Sequence, residues 1–545
     1  MSKVAHYLQE HLLGEVMTSA DARRYFATDA SVLAMTPALV VYPRNENDVR
    51  KTARFTWQLA ERGRVIPITA RGSGTDLSGA ALGSGIMLSF PAHMHKILEF
   101  DSKSGVVTVE AGINYAKLQQ TLHTHDRFLP PYPASMEYST IGGAVGNNSS
   151  GEKTVKYGDT RDYVRACRVV LANGEVIQTR RLNKRELGKK LGLATFEGEI
   201  YRAIDALMEE HQKDIDASIS GTTKNSAGYA LRDIKRRDGS FDLTPLIVGS
   251  QGTLGIVTEI SLETENYSPD TTLVVASFND LEQAQSAVLE LRDLQEIPSA
   301  IEMVDDQLLN LVERLAPNLL KDVMPKPFPR VVMLIEFDTY GDRQQKKAVK
   351  KATKILERLN VEFQVEADPA KQESLWKIRH SSAVIVGHAE NGLKALPIIE
   401  DGIVPPERFR EYLEGLYAIF ERSRLQAAVW GHAGDAHLHV QPFLDLGQVG
   451  DRQKVFRLMD EYTSLVLSLG GSISGEHGEG RLRAPYLAKQ YGPEMYALFQ
   501  KIKQIFDPYG TLNPGVKVNV NMDTVKALLR PGYTLDHLYG HLPRT

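Results

Sequence analysis

Short β-branched segments separated by clusters of glycine dominate the first half of the chain and constrain its fold more than any other feature. Between Ala38 and Thr264 these segments are LVVY (39–42), RVIPIT (64–69), GVVTVEAG (105–112), RVVLANGEVIQT (168–179) and GIVTEISLET (255–264). Runs of this kind bounded by glycine are typical of β-strands, and glycine allows tight turns between them. The pattern predicts a strand-rich domain in which glycine loops join many of the strands.

The next part of the chain has a different pattern. From Thr271 to about Phe363, strand-like segments alternate with helical ones, such as LVVASF followed by LEQAQSAVLELRDLQ. This alternation predicts a sheet packed by helices, so the fold class is α+β. A chain of 545 residues is too long for one core. We predict four segments, namely an N-terminal helical segment (1–36), the strand-rich domain (37–266), a second domain (267–518) and a C-terminal tail (519–545).

Charge and cysteine content exclude several classes of protein. The chain has 64 basic and 68 acidic residues, a net charge of −4, and therefore no bulk positive field for nucleic acid. Its one cysteine, Cys167, excludes an internal disulfide framework and a four-cysteine metal cluster within the sequence. The charged start does not look like a signal peptide, and no stretch has the roughly 18 to 20 apolar residues of a spanning helix. We expect a cytoplasmic protein with at most peripheral contact at the inner face of the membrane.

The loop RGSGTDLSG, from Arg71 to Gly79, follows one predicted strand and precedes another. Its glycines allow positive φ angles, which let several backbone N–H groups point at one anion such as a diphosphate. A dinucleotide fingerprint needs glycine at position 77, where this chain has leucine. A P-loop needs lysine and a hydroxyl residue after Gly79, where Ala80 and Ala81 follow. A Rossmann NAD site and a nucleoside triphosphate site are therefore not supported.

Two further loops, IGGAVGNNSSG (141–151) and GSQGTLGI (249–256), combine small residues with hydroxyl and amide groups. Any one of the three loops could be a tight turn of a glycine-rich β domain. Close approach of the backbone to one large polar cofactor explains all three together. We interpret the three loops as parts of one cofactor site.

Histidines and carboxylates cluster in two glycine-rich segments near the end of the chain. These are GHAGDAHLH, with His432, His437 and His439, and SGEHGEG, with Glu476 and His477. Imidazole nitrogens and a carboxylate oxygen suit zinc or manganese. Spacing alone does not choose the ligands, because His437 and His439 would share one face of an extended strand and could pair with each other. Packing explains the cluster poorly, since its members lie in turns rather than on an amphipathic face.

The motifs RGSGTDLSG, PPYPAS, STIGGAVGNNSSG, YGDTRDYV, GSQGTLGI and DPYGTLNPG, in this order, resemble those of FAD-binding flavoproteins of the vanillyl-alcohol oxidase or p-cresol methylhydroxylase type. The resemblance spans roughly residues 37 to 516. Within that superfamily the chain is similar to the branch of D-lactate dehydrogenase, D-2-hydroxyglutarate dehydrogenase and the FAD-linked subunit of glycolate oxidase. It implies a p-cresol methylhydroxylase-type FAD domain, a ferredoxin-like α+β cap domain for substrate and a C-terminal helical segment.

The resemblance implies FAD bound without a covalent link, because the first loop has no histidine to form one. It places around the pyrophosphate Arg71, Gly72, Ser73, Gly74, Thr75, Asp76 and Ser78. It places along the ribityl chain and isoalloxazine Pro133, Ser135, Thr140, Gly142, Gly143, Asn147 and Gly151. It places three residues on the adenine side, namely Gly252, Gly255 and Ile256. It also implies that Asn513, from the second domain, lies close to the flavin.

Further roles near the reacting carbon follow from the resemblance. It implies that the divalent metal, zinc or manganese, is bound by His432, His439 and Glu476. His437 would support these ligands without binding the metal itself. His477 matches the base that removes the hydroxyl proton while hydride leaves for the flavin, a task that suits a group of near-neutral pKa.

The substrate carboxylate requires a cation, and Arg379 matches the arginine that supplies it in the family. Lys394 is a second candidate, for which a surface role is equally open. We interpret two other histidines, His380 and His388, as structural residues.

The expected activity is oxidation of a small D-2-hydroxy acid, D-lactate first, to the 2-oxo acid, with D-2-hydroxyglutarate and glycolate as alternatives. Other classes stay open: a non-redox enzyme similar to alkylglycerone-phosphate synthases, a flavin-binding electron carrier and a flavin-free metallohydrolase. The ending EHGEGRLRAPYLAKQYGP is most similar to family members with a fused iron–sulfur module, which this sequence does not contain. We therefore expect a separate electron acceptor, which is a quinone, an electron-transfer flavoprotein or an iron–sulfur protein. A homodimer is one option for the assembly.

Overall fold

The computed structural model describes residues 3–218, 220–321, 323–339, 341–387, 389–390 and 392–539, so His388 lies outside the described residues. The strands are β1 (Glu15–Met17), β2 (Leu39–Tyr42), β3 (Ile68–Arg71), β4 (Ile86–Ser89), β5 (Ile97–Asp101), β6 (Val106–Glu110), β7 (Arg127–Phe128), β8 (Val164–Val170), β9 (Val176–Arg180), β10 (Ile256–Glu263), β11 (Glu265–Asn266), β12 (Thr272–Phe278), β13 (Ala300–Asp305), β14 (Val331–Phe337), β15 (Glu362–Glu366), β16 (Ala389–Glu390), β17 (Leu393–Ala395), β18 (Gly402–Ile403), β19 (Ala427–His432) and β20 (His437–Leu444).

The helices are α1 (Lys3–His11), α2 (Ala20–Tyr25), α3 (Glu46–Ala60), α4 (Tyr115–His123), α5 (Ile141–Asn147), α6 (Thr154–Tyr157), α7 (Thr160–Tyr163), α8 (Lys184–Leu191), α9 (Phe196–Glu210), α10 (Gln212–Ala217), α11 (Thr244–Ile247), α12 (Leu281–Arg292), α13 (Asp306–Leu315), α14 (Asp342–Arg358), α15 (Pro369–His380), α16 (Ser382–Gly387), α17 (Phe409–Ser423), α18 (Val449–Ser468), α19 (Leu487–Phe506), α20 (Met522–Ala527) and α21 (Asp536–Tyr539). No helix among the described residues is long and apolar enough to cross a bilayer.

Two main sheets organise the glycine-rich first half of the chain. The first has the order β1-β2-β4-β3, in which β2, β4 and β3 are parallel and β1 is antiparallel. The second is antiparallel and has the order β5-β6-β10-β8-β9. Along β10 every second residue is buried, because successive side chains of a strand point to opposite faces.

A larger antiparallel sheet forms the second half, with nine strands among the described residues. Its order is β15-β12-β14-β13-β19-β20-β17-β16, and β18 also pairs with β20. Along β12, Val274 and Ala276 join the core that includes α12 and α14, whereas Leu273 and Val275 join the core that includes α13 and α15. Helices therefore pack on both faces of this sheet, as expected for an α+β fold.

The segment after residue 518, which the sequence predicts to be a tail, packs against the first half of the chain. Val525, Leu529 and Tyr533 are buried at intervals of four residues. The backbone N–H of Arg530 donates to the carbonyl of Val32. The sequence does not reveal this packing, because these apolar residues stand alone in a polar background and contact a surface formed by distant residues.

We expect Asp507→Ala to lower the free energy of unfolding by about 3–5 kcal/mol, because it leaves a buried ammonium without its carboxylate. Lys503 Nζ lies 2.6 Å from Asp507 Oδ2 at the end of α19, and both side chains are buried. Asp507 also accepts the backbone N–H groups of Thr511 and Leu512. Denaturant unfolding measures the change. Lys526→Ala, which removes an exposed cation, is the control, and equal stability of the two variants would contradict the prediction.

Candidate active site

A cavity of about 450 Å³ lies between the glycine loops of the first half and the large sheet of the second. It is lined by these predicted site residues: Arg71, Gly72, Ser73, Gly74, Thr75, Asp76, Pro133, Ser135, Thr140, Gly142, Gly143, Asn147, Gly252, Gly255, Arg379, His432, His439, Glu476 and His477. Outside its lining lie the predicted residues Ser78, Gly151, Ile256, Asn513 and Lys394. The structure therefore brings most of the predicted cofactor, metal and substrate residues to one space.

The first glycine loop leaves β3 at Arg71 and presents unused donors to the cavity. The backbone N–H groups of residues 73–77 have no acceptor among the described residues, and all five residues line the cavity. Gly74 has a φ of 77°, a conformation that favours glycine. The buried guanidinium of Arg71 donates to the carbonyl of Thr28 at 2.8 Å and has no carboxylate within 4.0 Å in the described chain. Free N–H groups beside a buried cation fit a diphosphate.

The second and third loops leave room for a ligand. The second loop begins as α5, in which the Thr140 hydroxyl accepts the N–H of Gly143. A Cβ placed on Gly146 or Gly252 would meet no atom within 4 Å, although both glycines line the cavity. The side-chain amide of Gln251, which the sequence analysis did not single out, donates to the Asn147 side chain and to a backbone carbonyl of the second half. Gln251 therefore joins the loops of the first half to the second.

The predicted residues outside the lining support the loops from behind. Ser78 donates its hydroxyl to Asp76, and Ile256 is buried at the start of β10. Gly151 allows a close approach of two backbones, because a Cβ there would lie 2.0 Å from the Tyr132 carbonyl oxygen. Asn513 donates from its amide to the carbonyls of Ala80 and Gln251, both at 2.8 Å.

Lys394 lies on β17, and its ammonium donates to the backbone carbonyl of Tyr533 at 2.6 Å. The side chain therefore contacts the C-terminal segment and does not reach the cavity surface.

The hairpin of β19 and β20 brings the predicted metal ligands together with Glu476. His432 Nε2 lies 3.3 Å from Glu476 Oε1 and 3.4 Å from His439 Nε2. His439 Nε2 lies 3.4 Å from Glu476 Oε1. A tetrahedral ion with bonds of about 2.0–2.1 Å keeps its ligands about 3.3–3.4 Å apart. These three atoms therefore fit one divalent ion.

His437 belongs to the same group, since its ligand atom lies within 4.8 Å of the other three. Its Nε2 lies 3.0 Å from Asp401 Oδ1, and its Nδ1 has no hydrogen-bond partner in the described chain. Burial and the nearby Lys224 lower the pKa of His437 to about 3, so the ring stays neutral. The geometry thus leaves His437 available either as a fourth ligand or as a support behind the other three.

Two residues that the sequence analysis missed hold the ligands in place. Glu302 accepts a hydrogen bond from His432 Nδ1 at 2.7 Å, and Lys224 donates to Glu476 Oε2 at 2.7 Å. Burial opposes protonation of His432, but Glu302 and Glu476 outweigh it and raise its pKa to about 9. Burial also opposes ionisation of Glu476, yet Lys224 and His432 hold its pKa well below the usual range. A carboxylate behind a histidine fixes the tautomer and directs Nε2 to the metal.

His477 stands beside the three ligand atoms with its ring oriented by carboxylates. Its Nδ1 lies 2.9 Å from Glu400 Oε2, and Glu400 in turn accepts from Arg483 at 2.6 Å. The other nitrogen, Nε2, lies 3.7 Å from Glu476 Oε1. Burial disfavours the imidazolium, but Glu400 and Asp401 outweigh burial and raise the pKa of His477 to about 10.

Arg379 occupies the same wall of the cavity and is fixed by Glu302. Its Nε donates to Glu302 Oε2 at 2.6 Å, and its Nη1 lies 3.5 Å from Ser382 Oγ. The arginine side chain is 3% exposed, so the guanidinium is nearly desolvated. One carboxylate, Glu302, therefore positions both His432 and Arg379.

Comparison with known proteins identifies the family. Residues 37–180 match the family described as an FAD binding domain, and residues 268–516 match FAD linked oxidases, C-terminal domain. The glycolate oxidase subunit GlcD of Bacillus subtilis (strain 168) is 30% identical over 481 residues, covering 88% of each chain. The D-lactate dehydrogenase of Anaerostipes hadrus is 29% identical over 461 residues, covering 83% of this chain and 84% of the relative.

Longer relatives match as well. The D-2-hydroxyglutarate dehydrogenase of Escherichia coli (strain K12) is 30% identical over 524 residues, covering 93% of this chain. The chain spans about half the length of this relative, 50%. Among solved structures, p-cresol methylhydroxylase with substrate bound superposes with a TM-score of 0.68 at 14% identity, covering 96% of this chain and 97% of that one.

The fold and the cavity therefore define a flavoprotein architecture of the p-cresol methylhydroxylase type, and the predicted α+β fold class is confirmed. The chain belongs to the family of FAD-linked oxidases, which confirms the family predicted from the motifs.

We expect His439→Ala to reduce the divalent metal content of the purified protein strongly, because it removes one corner of the triangle formed by His432, His439 and Glu476. FAD content should persist, since the free N–H groups of the first loop lie on another wall of the cavity. Elemental analysis and the flavin absorbance of the same samples measure the two contents. His125→Ala, which changes an exposed histidine, is the control. Equal metal content in His439→Ala and the wild type would rule out this ligand set.

Proposed function

We propose that this chain is an FAD-dependent dehydrogenase that oxidises a small D-2-hydroxy acid to the 2-oxo acid, with D-lactate as the first candidate. One observation carries the proposal. His477, Arg379 and the metal-fitting triangle, which is formed by the ligand atoms of His432, His439 and Glu476, share one wall of a cavity. The other wall has free N–H groups. The first of these walls offers a Lewis-acid position, a base and an anion anchor, and the cofactor space lies beside it. Relatives named for glycolate, D-lactate and D-2-hydroxyglutarate support the substrate class.

In the proposed reaction His477 removes the hydroxyl proton. In the neutral ring that a base requires, Nδ1–H donates to Glu400 and the lone pair is on Nε2, the nitrogen nearer Glu476. Glu400 and Asp401 then stabilise the imidazolium that forms, while Arg483 keeps Glu400 in place. When bound, FAD supplies the acceptor for the hydride from Cα, and a divalent ion polarises the substrate oxygens. With a divalent cation held by His432, His439 and Glu476, the pKa of His477 would be lower, because like charges disfavour the imidazolium.

Arg379 is proposed to bind the substrate carboxylate. Its Nε is committed to Glu302, so the Nη groups remain for a charge-assisted hydrogen bond. Among the described residues that line the cavity, Arg379 and Arg71 are the only lysine or arginine side chains. A dicarboxylate needs a second cation, and Lys394 donates instead to the Tyr533 carbonyl. This arrangement favours a monocarboxylate such as D-lactate or glycolate over D-2-hydroxyglutarate.

The reduced flavin needs an acceptor for its two electrons. The sequence has one cysteine, so it cannot form a four-cysteine cluster within itself. We propose a separate acceptor, a quinone, an electron-transfer flavoprotein or an iron–sulfur protein, met by a cytoplasmic enzyme with at most peripheral membrane contact.

The purified protein should be yellow, release FAD on denaturation and lose its flavin absorbance when D-lactate is added without oxygen. D-2-hydroxyglutarate and glycolate, tested in parallel, identify the preferred acid. Each competing class predicts a different result. An electron carrier or a non-redox enzyme keeps its absorbance with every acid, and a metallohydrolase is colourless. Flavin that stays with the precipitated chain would contradict the non-covalent assignment.

Rapid-mixing measurement of flavin reduction should separate the base from the anchor. His477→Ala should lower the limiting reduction rate by about 10²- to 10⁴-fold, the usual loss for a general base, with little change in apparent affinity. Arg379→Ala should mainly weaken apparent affinity, because it removes a charge-assisted bond worth about 1.5–3 kcal/mol in both ground and transition states.

Arg379→Lys is the matched control, since it keeps the positive charge and loses the hydrogen bond from Nε to Glu302.

A wild-type limiting rate in His477→Ala would show that histidine is not the base. Glu479 could not replace it from its present position, because it is fully buried against Lys517 and does not line the cavity.

A further inference from the structure

The C-terminal segment contributes apolar side chains to the wall of the cavity. Tyr533, Leu535 and Leu538 line it beside the first glycine loop. Leu535 and Leu538 are only half-buried. When a ligand covers apolar side chains that face an open cavity, apolar surface is removed from water, which favours binding. Their exposure therefore suggests a ligand at this wall.

Hydrogen bonds fix this segment directly to the first glycine loop and its neighbours. His537 Nε2 lies 3.0 Å from the Gly74 carbonyl oxygen, to which it donates. Burial lowers the pKa of His537 to about 4, so the ring is neutral. The Tyr533 hydroxyl donates to the carbonyl of Ala30 at 2.9 Å. On the other side, the Lys394 ammonium donates to the Tyr533 carbonyl. The segment is thus held between the proposed diphosphate loop and the large sheet.

Buried positive charge accumulates where the segment meets the loop. Arg71, Arg481 and Arg530 are each at most 6% exposed, and none has a carboxylate within 4.0 Å in the described chain. Arg530 comes from the segment itself, and its Nε and Nη2 have no hydrogen-bond partner among the described residues. Three carboxylates lie near enough to act on these arginines through the electric field, namely Asp29, Asp76 and Asp536. None of the three arginines has a direct carboxylate partner, and Arg530 keeps two unused donor atoms, so the group can attract an anion.

We infer that residues 528–538 form part of the cofactor site, with Tyr533, Leu535 and Leu538 covering the diphosphate portion of FAD and Arg530 adding positive charge behind them. The inference rests on the proposed function for the identity of the ligand. Without a covalent link, retention of FAD depends on how completely its charged centre is enclosed. Apolar side chains exclude water from the diphosphate and strengthen its hydrogen bonds to the N–H groups of residues 73–77.

The test compares FAD binding by Leu535→Ala/Leu538→Ala with the wild type. We expect the dissociation constant for FAD to rise about tenfold or more, with faster release of fluorescent FAD after dilution of the loaded protein. Thr534→Ala and Leu538→Met are the controls. Thr534 is exposed immediately before Leu535, and methionine keeps an apolar wall, so both controls should bind FAD as the wild type does.

Thermal unfolding with and without FAD separates a cofactor role from a structural one. A ligand raises the midpoint according to its affinity, so the double variant should show a smaller FAD-induced rise while the FAD-free midpoint stays near that of the wild type. An equal drop in both midpoints, or an unchanged dissociation constant, would overturn the inference. If the wild type itself binds no FAD, the proposed function fails together with this inference. If the wild type binds FAD and the double variant binds it equally well, only this inference fails.

Discussion

A single buried carboxylate, that of Glu302, joins the proposed metal site to the arginine proposed to bind the substrate carboxylate. One of its oxygens accepts from His432 and the other accepts from Arg379, and its side chain has no exposed surface. A buried charge is tolerated only when its partners are well placed, so the positions of the imidazole and the guanidinium constrain each other. A ligand that moves the arginine therefore also acts on the metal-fitting triangle. Substrate binding and metal binding are expected to depend on each other for this reason.

Much of the site could be predicted from the sequence, because its residues lie in distinctive local patterns. The loop at Arg71, the histidines at 432 and 439 and the Glu476–His477 pair stand in glycine-rich segments of the sequence. The sequence placed the histidines in turns, whereas the structure has His432 at the end of β19 and His439 within β20. The segments for the strands were also visible, since β-branched runs bounded by glycine are typical of strands and uncommon in helices. Each of these features lies within a short stretch of sequence, so it can be recognised without knowledge of the fold.

The residues that orient the site could not be predicted in the same way. Glu302 lies in IEMVDD, which has the appearance of an ordinary strand, and Lys224 lies 252 residues before Glu476, its partner. Lys394 shows the opposite problem. The sequence made it a second candidate for the substrate carboxylate, with a surface role equally open, whereas in the structure its ammonium donates to a backbone carbonyl. Partners of this kind are chosen by tertiary structure, so no spacing rule in the sequence reports them.

The contacts between the two ends of the chain bear on when the cofactor space can form. The hydrogen bond between Tyr533 and Ala30 spans 503 residues, and the one between Tyr25 and His537 spans 512. Domains usually fold as they leave the ribosome, beginning from the N-terminus. The sheets of the first half have their own partners and can assemble early, but this wall must wait until residue 537 has been synthesised. Enclosure of the flavin is therefore a late event in the life of the chain, and a nascent protein that already has its glycine loops still lacks one side of their cavity.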